Sequence, residues 1–184
     1  RPGILPGQIR RRSAVVRATV ASVADQQAFD DGDQGEVPDQ QLSRLPRRDG
    51  VVEKVHELVR SGSGPAVLVV EIVGFDALAG TDAIGARGAV ADVEERLDRV
   101  VRGRDVLGFE PPARFLLGCA SLQPAAAGGV IDRIRSGAAF PVEVGGEAMS
   151  LMLDVGCAFW SAGASGESLV AAAEADLLRS ARSA

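Results

Sequence analysis

The residues of this chain whose types and spacing could do chemistry are concentrated between positions 102 and 119. Arg102 and Asp105 stand three apart, in the pattern R-x-x-D. An arginine can bind a phosphate through two parallel hydrogen bonds and stack on a flat ring, and an aspartate can accept hydrogen bonds. The pair could therefore bind a small anionic ligand. The pattern is short, however, and an arginine near a helix end commonly caps the helix or forms a surface ion pair.

The segment after Asp105 predicts a hairpin with unusual residues at its tip. Two short apolar runs, 106–109 and 115–117, are separated by polar and proline residues, which is typical of two strands joined by a turn. Pro111 and Pro112 each fix φ at about −65° and lack an N–H, so they offer no amide hydrogens to a phosphate. Ala113 has no carboxylate, and Arg114 would repel a metal ion that needs oxygen ligands. The tip therefore offers neither amide donors for a phosphate nor an oxygen ligand for a metal ion.

The rest of the pattern predicts the elements that would position these residues. Apolar residues at helical spacing predict one helix at 48–60 and a second one ending just before Arg102. The continuous, β-branched run 66–73 predicts a strand that is buried on both faces. Further along, the pattern predicts a helix ending at 130–135, strands at 141–144 and 150–158 joined through a Gly145-Gly146 turn, and a final helix from about Glu167. This order indicates an α/β (α+β) sandwich with one mixed central sheet flanked by helices.

Length, composition and charge narrow the class of protein. The chain has 184 residues, 46% of them hydrophobic, and a net charge of −5. This length suffices for one domain with a buried core and a tail. The negative charge argues against nucleic-acid binding through a basic surface. No apolar run is longer than five residues, as at 66–70, which is far short of the ~20 residues of a spanning helix, so no membrane contact by this segment is expected.

The composition also divides the chain into two parts. Residues 1–39 have linker composition and are predicted to be an N-terminal tail, in which 13–27 could form a short helix, and 40–184 are predicted to be the folded domain. Because the chain begins with Arg1 and has no secretory-type apolar segment, we expect a fragment or processed form located in the cytoplasm. Cys119 and Cys157 lie in apolar runs and are expected to be buried free thiols, and His56 is expected at the surface.

The hairpin and its surroundings resemble GGDEF domains, the diguanylate cyclases that join two GTP molecules into cyclic di-GMP. Aligned without gaps, the family's signature Gly, Gly, Asp/Glu, Glu and Phe falls on Pro111, Pro112, Ala113, Arg114 and Phe115, so only the phenylalanine is kept. Other landmarks keep the family's order: Leu42, Ser43, Leu45, Pro46 and Arg48 in the opening motif D-x-L-T-G-L-x-N-R, Leu153-Asp154-Val155-Gly156 in the strand V-S-I-G, and 173–178 in the closing helix A-D-x-A-L-Y.

The resemblance also shows which catalytic groups are missing. Glu71 stands at the first metal-binding carboxylate of the family, but Val73 replaces the second. Ala79 and Gly88 stand at the Asn and Asp that read guanine. Glu71 could hold a metal only with help from Asp76 or Asp82, and one preserved carboxylate is a poor two-metal site. The resemblance therefore implies a degenerate GGDEF domain that is not an enzyme and holds no metal or other cofactor.

One landmark of the family is intact. Arg102 and Asp105, with five residues between Asp105 and the tip, have the placement of the family's inhibitory site for cyclic di-GMP, and Arg133 stands where the family often has a second arginine for this ligand. Arg104 and Arg135 are nearby. The resemblance implies a cyclic di-GMP receptor that forms a ligand-promoted homodimer or moves against an upstream or partner domain. The alternative is a protein-interaction or dimerisation module that keeps the fold and binds no nucleotide.

Overall fold

The computed structural model describes residues 43–138, 141–144 and 147–183. The tail predicted at 1–39 and the Gly145-Gly146 turn lie outside the described residues. The elements are, in chain order, α1 (Arg48–Arg60), β1 (Ala66–Ile72), α2 (Phe75–Thr81), α3 (Ala83–Asp98), β2 (Val106–Glu110), β3 (Arg114–Cys119), α4 (Pro124–Ala138), β4 (Pro141–Val144), β5 (Glu147–Ser150), β6 (Leu153–Phe159) and α5 (Gly166–Ser183).

The central sheet has four strands in the order β2-β3-β1-β6. The predicted α+β class, with helices flanking one central sheet, is confirmed. All three pairings of this sheet are antiparallel, whereas the sequence pattern suggested a mixed sheet. The periodicity of a single strand reports which faces are buried and carries no information about the direction of its neighbours. The hairpin β2-β3 is present as predicted.

The boundary between β5 and β6 differs from the prediction. The run 150–158 was expected to be one strand, but Ser150 ends β5, which pairs with β4 in a separate two-stranded sheet, and β6 begins at Leu153. The sequence of β5, EAMS, is short and mostly small or polar, so it carries too little hydrophobic alternation to be recognised as a strand.

Helices cover both faces of the central sheet because alternate residues of β1 point to opposite sides. Val67 and Val69 pack with α1 and α5, while Leu68 and Val70 pack with α3 and α4. All four side chains are fully buried, in agreement with the predicted two-sided burial. Within the described residues, no helix is long and apolar enough to cross a membrane. The two regions of functional interest lie at opposite ends of β3, the hairpin tip at Arg114 and a cleft beside Cys119.

Candidate ligand site and hairpin tip

The hairpin tip holds an ion pair at the position where the sequence resemblance placed a metal ligand. Arg114 opens β3, and Glu71 lies directly opposite it on β1. The Arg114 Nη2 atom is 2.8 Å from Glu71 Oε2. The Arg114 Nη1 atom is 3.4 Å from an oxygen of Glu110, at the end of β2. The cation that the sequence places at the tip is therefore shared between two carboxylates of the sheet.

Two further side chains complete this arrangement from the helices. Arg48, at the start of α1, donates both of its terminal nitrogens to the carboxylate of Glu174 on α5, at 2.7 and 3.0 Å. The Arg48 Nη1 atom also lies 3.0 Å from Glu110. The hydrogen bond from Arg48 lowers the pKa of Glu174, and the same bond raises the pKa of Arg48. We call Arg48, Glu71, Glu110, Arg114 and Glu174 the tip cluster.

The carboxylates at and near the hairpin tip do not form a site for a divalent cation. The carboxylate of Glu71 already accepts hydrogen bonds from Arg114. The carboxylate of Asp82 caps α3 by accepting from the backbone N–H groups of Ile84 and Gly85. Across the described ranges, no three His, Cys, Asp or Glu side chains are grouped so that they could hold a metal ion. A metal needs such oxygen ligands free of competing cations.

At the other end of β3, the structure brings Arg102, Asp105 and Arg133 together. They line one cleft of about 630 Å³, between the end of α3, the loop 102–105 and α4. Arg104 lies on the same cleft, and Arg135 is not part of its lining. We call this region the arginine cleft. Its remaining wall is largely apolar and includes Val100, Val101, Leu117, Leu122, Ala126 and Val130.

The charged side chains of the arginine cleft differ in their hydrogen bonds to the rest of the protein. The carboxylate of Asp105 accepts two backbone hydrogen bonds, from Arg102 N and Ala120 N, both at 2.9 Å. Arg104 donates to the hydroxyl of Ser63 at 3.1 Å. The side chains of Arg102 and Arg133 are exposed and make no hydrogen bond or ion pair with the described part of the chain. Two guanidinium groups are therefore available to an anion.

The cysteines and the histidine add no reactive group. Cys119 lies buried at the cleft, and burial raises the pKa of its thiol to about 12, so it stays protonated and unreactive. Cys157 is partly buried and also free. His56 is partly exposed, with Nε2 3.0 Å from Glu167. These positions agree with the predictions of free thiols and a surface histidine, although Cys157 is less buried than expected.

Sequence reasoning did not single out Glu110 and Glu174. Glu110 stands four residues before Arg114, across the turn, and this spacing was a usable signal. Glu174 had no local signal, because 126 residues separate it from Arg48 in the chain.

Comparison with known proteins assigns the fold. No protein-family model and no curated protein matches the chain. Among solved structures, it is similar to the diguanylate cyclase SiaD of Pseudomonas aeruginosa, in complex with its activator SiaC, with 26% identity and a TM-score of 0.71 over 78% of this chain. The chain spans 57% of the SiaD chain. It is also similar to the GGDEF domain of DgcB from Caulobacter crescentus, in complex with c-di-GMP, with 18% identity and a TM-score of 0.71.

The DgcB match covers 88% of this chain and 94% of that domain. A third similar structure is the GGDEF domain of YfiN from Pseudomonas aeruginosa, with 21% identity and a TM-score of 0.70 over 77% of this chain and 92% of that one. The chain therefore has the fold of GGDEF domains, the fold of diguanylate cyclases, as its sequence motifs suggested.

Proposed function

We propose that this chain is a catalytically inactive GGDEF-like domain that acts as a receptor for cyclic di-GMP. The ligand binds in the arginine cleft, through Arg102, Asp105 and Arg133. The observation that carries this proposal is the pair of exposed guanidinium groups, Arg102 and Arg133, on one cleft with an apolar wall. The complex of the DgcB domain with c-di-GMP supports the choice of ligand for this fold.

The chemistry of the arginine cleft matches the ligand in two ways. Arg102, Arg104 and Arg133 against Asp105 give a local excess of positive charge in a chain of net charge −5, and guanidinium groups bind phosphates through paired hydrogen bonds. The apolar wall offers a surface on which a flat guanine ring can lose its contact with water. Cyclic di-GMP presents both a phosphate ring and flat bases. An intercalated pair of ligands would join two domains, so a ligand-promoted homodimer is the expected output.

The tip cluster supports the proposal that catalysis is absent. Two-metal catalysis needs carboxylates free to hold the cations that clamp the phosphates. Here Glu71 is paired with Arg114, and Val73 stands at the position of the second carboxylate. Since cyclic di-GMP is made from GTP inside the cell, such a receptor would act in the cytoplasm.

A second candidate function, a protein-interaction module that binds no nucleotide, is favoured by a different observation. Val73 and Met152 are 42% and 56% exposed and are neighbours, since the N–H of Val73 donates to the carbonyl of Met152 at 3.0 Å. Large contiguous patches of exposed apolar side chains mark protein–protein interaction sites. The complex of SiaD with its activator SiaC supports a docked partner for this fold.

Isothermal titration of cyclic di-GMP into the wild-type chain tests the proposal and separates the two candidates. We expect micromolar or tighter binding, at least tenfold weaker binding by Arg102→Ala, and unchanged binding by Arg135→Ala, which removes an exposed arginine of α4 that does not line the cleft. GTP with Mg²⁺ should give no heat and no product. No binding by the wild type would overturn the receptor proposal and favour the interaction module, and turnover of GTP would overturn the proposed inactivity.

A further inference from the structure

A row of charged residues crosses the central sheet at the end where the hairpin tip lies. Glu110 of β2 lies directly opposite Arg114 of β3, and Arg114 lies directly opposite Glu71 of β1. Glu71 in turn lies opposite Asp154 of β6. Residues that lie opposite each other on paired strands point to the same face of the sheet. The row therefore places three carboxylates and one guanidinium side by side, with Arg114 between two of the carboxylates.

A fourth carboxylate approaches Arg114 from the helix layer. Oε1 of Glu174 on α5 lies 3.6 Å from Arg114 Nη1. The same Nη1 atom is 3.4 Å from Glu110, and Nη2 is 2.8 Å from Glu71. Carboxylates from β1, β2 and α5 thus surround one guanidinium. Arg48 contacts Glu110 and Glu174, so among the described residues Glu71 has Arg114 as its ionic partner.

Without a cation between them, these carboxylates would repel one another. Like charges on directly opposite residues destabilise a sheet, and Glu71 faces Asp154 in this way. A divalent cation can hold several carboxylates together because it binds several of their oxygens at once. A guanidinium can do so because its N–H groups form charge-assisted hydrogen bonds to carboxylates. In this chain, the guanidinium of Arg114 lies between the carboxylates.

We propose that Arg114 is a built-in counter-cation of the sheet: its guanidinium takes the place of a divalent cation and makes the tip stable without one. The three glutamates are spread over the width of this guanidinium, and they form no group of the size that a metal ion needs. Their side chains are 24% to 42% exposed, so they can close around a smaller ion once Arg114 is removed. Because the cluster lies at the opposite end of β3 from the arginine cleft, this role of Arg114 does not depend on cyclic di-GMP.

Thermal unfolding with and without calcium tests this role, because Ca²⁺ accepts carboxylate oxygens in a flexible geometry. We expect the wild type to unfold at the same temperature in about 10 mM CaCl2 and in NaCl of equal ionic strength. Arg114→Ala should unfold about 3–6 °C lower in NaCl, and CaCl2 should recover most of that loss. Isothermal titration should show Ca²⁺ binding to Arg114→Ala with a Kd of about 1 mM or tighter, and no binding to the wild type.

Three further variants show whether the position of the cation matters. Arg48→Ala is the matched control, since it removes the same charge from the same cluster and leaves Arg114 among the carboxylates. Its Tm should fall without recovering in CaCl2. Adding Glu71→Gln to Arg114→Ala should weaken Ca²⁺ binding at least about tenfold, because one of the converging carboxylates is gone. Arg114→Lys keeps a cation at the position and should gain no affinity for Ca²⁺.

Every outcome of these measurements bears on the role of Arg114. Binding of Ca²⁺ by the wild type would overturn the proposal, and so would a calcium response as large in Arg48→Ala as in Arg114→Ala. A folded Arg114→Ala whose Tm is the same in both salts would overturn it as well. If Arg114→Ala is unfolded in NaCl, CaCl2 must restore the circular dichroism spectrum of the wild type, and failure to restore it would equally contradict the counter-cation role.

Discussion

Arginines lie at both ends of β3, and they differ in whether they are paired with carboxylates. In the tip cluster, Arg48 and Arg114 share three glutamates, with the shortest contacts at 2.7 and 2.8 Å. In the arginine cleft, Arg102 and Arg133 have no ionic partner within the described part of the chain. The role of an arginine near a functional motif therefore depends on whether a carboxylate is paired with it. A paired arginine stabilises the fold, and an unpaired one is available to a ligand.

The largest expected effect comes from removing both unpaired arginines of the cleft. We expect Arg102→Ala with Arg133→Ala to weaken cyclic di-GMP binding at least about a hundredfold, since each guanidinium forms charge-assisted hydrogen bonds to phosphate. Isothermal titration measures the change. The double variant Arg87→Ala with Arg135→Ala removes the same charge from exposed helix positions outside the cleft. Comparable weakening by this control would mean that net charge alone governs binding. That result would contradict a specific role for the two cleft arginines.

Removing a paired arginine should act on stability instead. Arg48→Ala breaks the contacts to Glu110 and Glu174 and leaves three glutamates with Arg114 alone. We expect the free energy of unfolding to fall by about 1–2 kcal/mol, measured by urea denaturation, with ligand affinity unchanged. Arg44→Ala, which truncates an exposed arginine just before α1, is the matched control and should have little effect. A loss of ligand affinity in Arg48→Ala would show that the two regions are coupled.

Acid should weaken the tip cluster through Glu174. The hydrogen bond from Arg48 lowers the pKa of Glu174 below its ordinary value of 4.5. A carboxyl whose folded pKa is depressed stabilises the protein above the unfolded pKa and loses that contribution as pH falls through the folded value. The stability difference between wild type and Arg48→Ala should therefore be full at pH 7 and shrink below pH 4.5. Urea denaturation at pH 7 and at about pH 3.5 checks this, and a constant difference would contradict it.

Salt should produce the smallest effect and should still distinguish the two regions. Exposed charges are screened more strongly than partly buried pairs. Raising NaCl from about 0.05 M to about 0.5 M should weaken cyclic di-GMP binding several-fold. The stability difference between wild type and Arg48→Ala should change much less, because the Arg48 and Glu174 side chains are 35% and 24% exposed. Equal sensitivity in both measurements would mean that the tip cluster is as solvated as the cleft.

The fold was largely predictable because its signals are local. The α1 helix begins and ends where the apolar periodicity predicted. The strand predicted at 66–73 is present as Ala66–Ile72 and is buried on both faces, whereas Val73 lies beyond its end and is 42% exposed, and the two prolines marked the hairpin turn. The failure at β5 follows from the same rule, since a strand of four mostly small or polar residues is too short to show a periodicity. The antiparallel direction of every pairing in the central sheet depends on contacts distant in sequence, which single-strand patterns do not contain.

The sequence predicted which residues line the candidate site, but it did not predict the hydrogen-bond and ion-pair partners of the residues in the two regions. The resemblance grouped Arg102, Asp105 and Arg133, and the structure places all three on one cleft. It did not reveal that the Asp105 carboxylate is bound to backbone, because hydrogen bonds to Ala120 depend on how the loop meets the end of β3. The pairing of Arg114 with Glu71 follows from strand register, which was not known from composition or motif.

The length of β3 has a consequence for the evolution of such a protein. Its six residues, Arg114–Cys119, at a rise of about 3.4 Å each, place some 17 Å between the tip cluster and the cleft. That distance exceeds the Debye length of about 8 Å at physiological salt. The effect of exposed charges at one end on the other end is therefore largely screened by salt. Catalytic residues at the tip can therefore be lost during evolution while the ligand-binding residues of the cleft are retained, because the length of the strand separates the two sites.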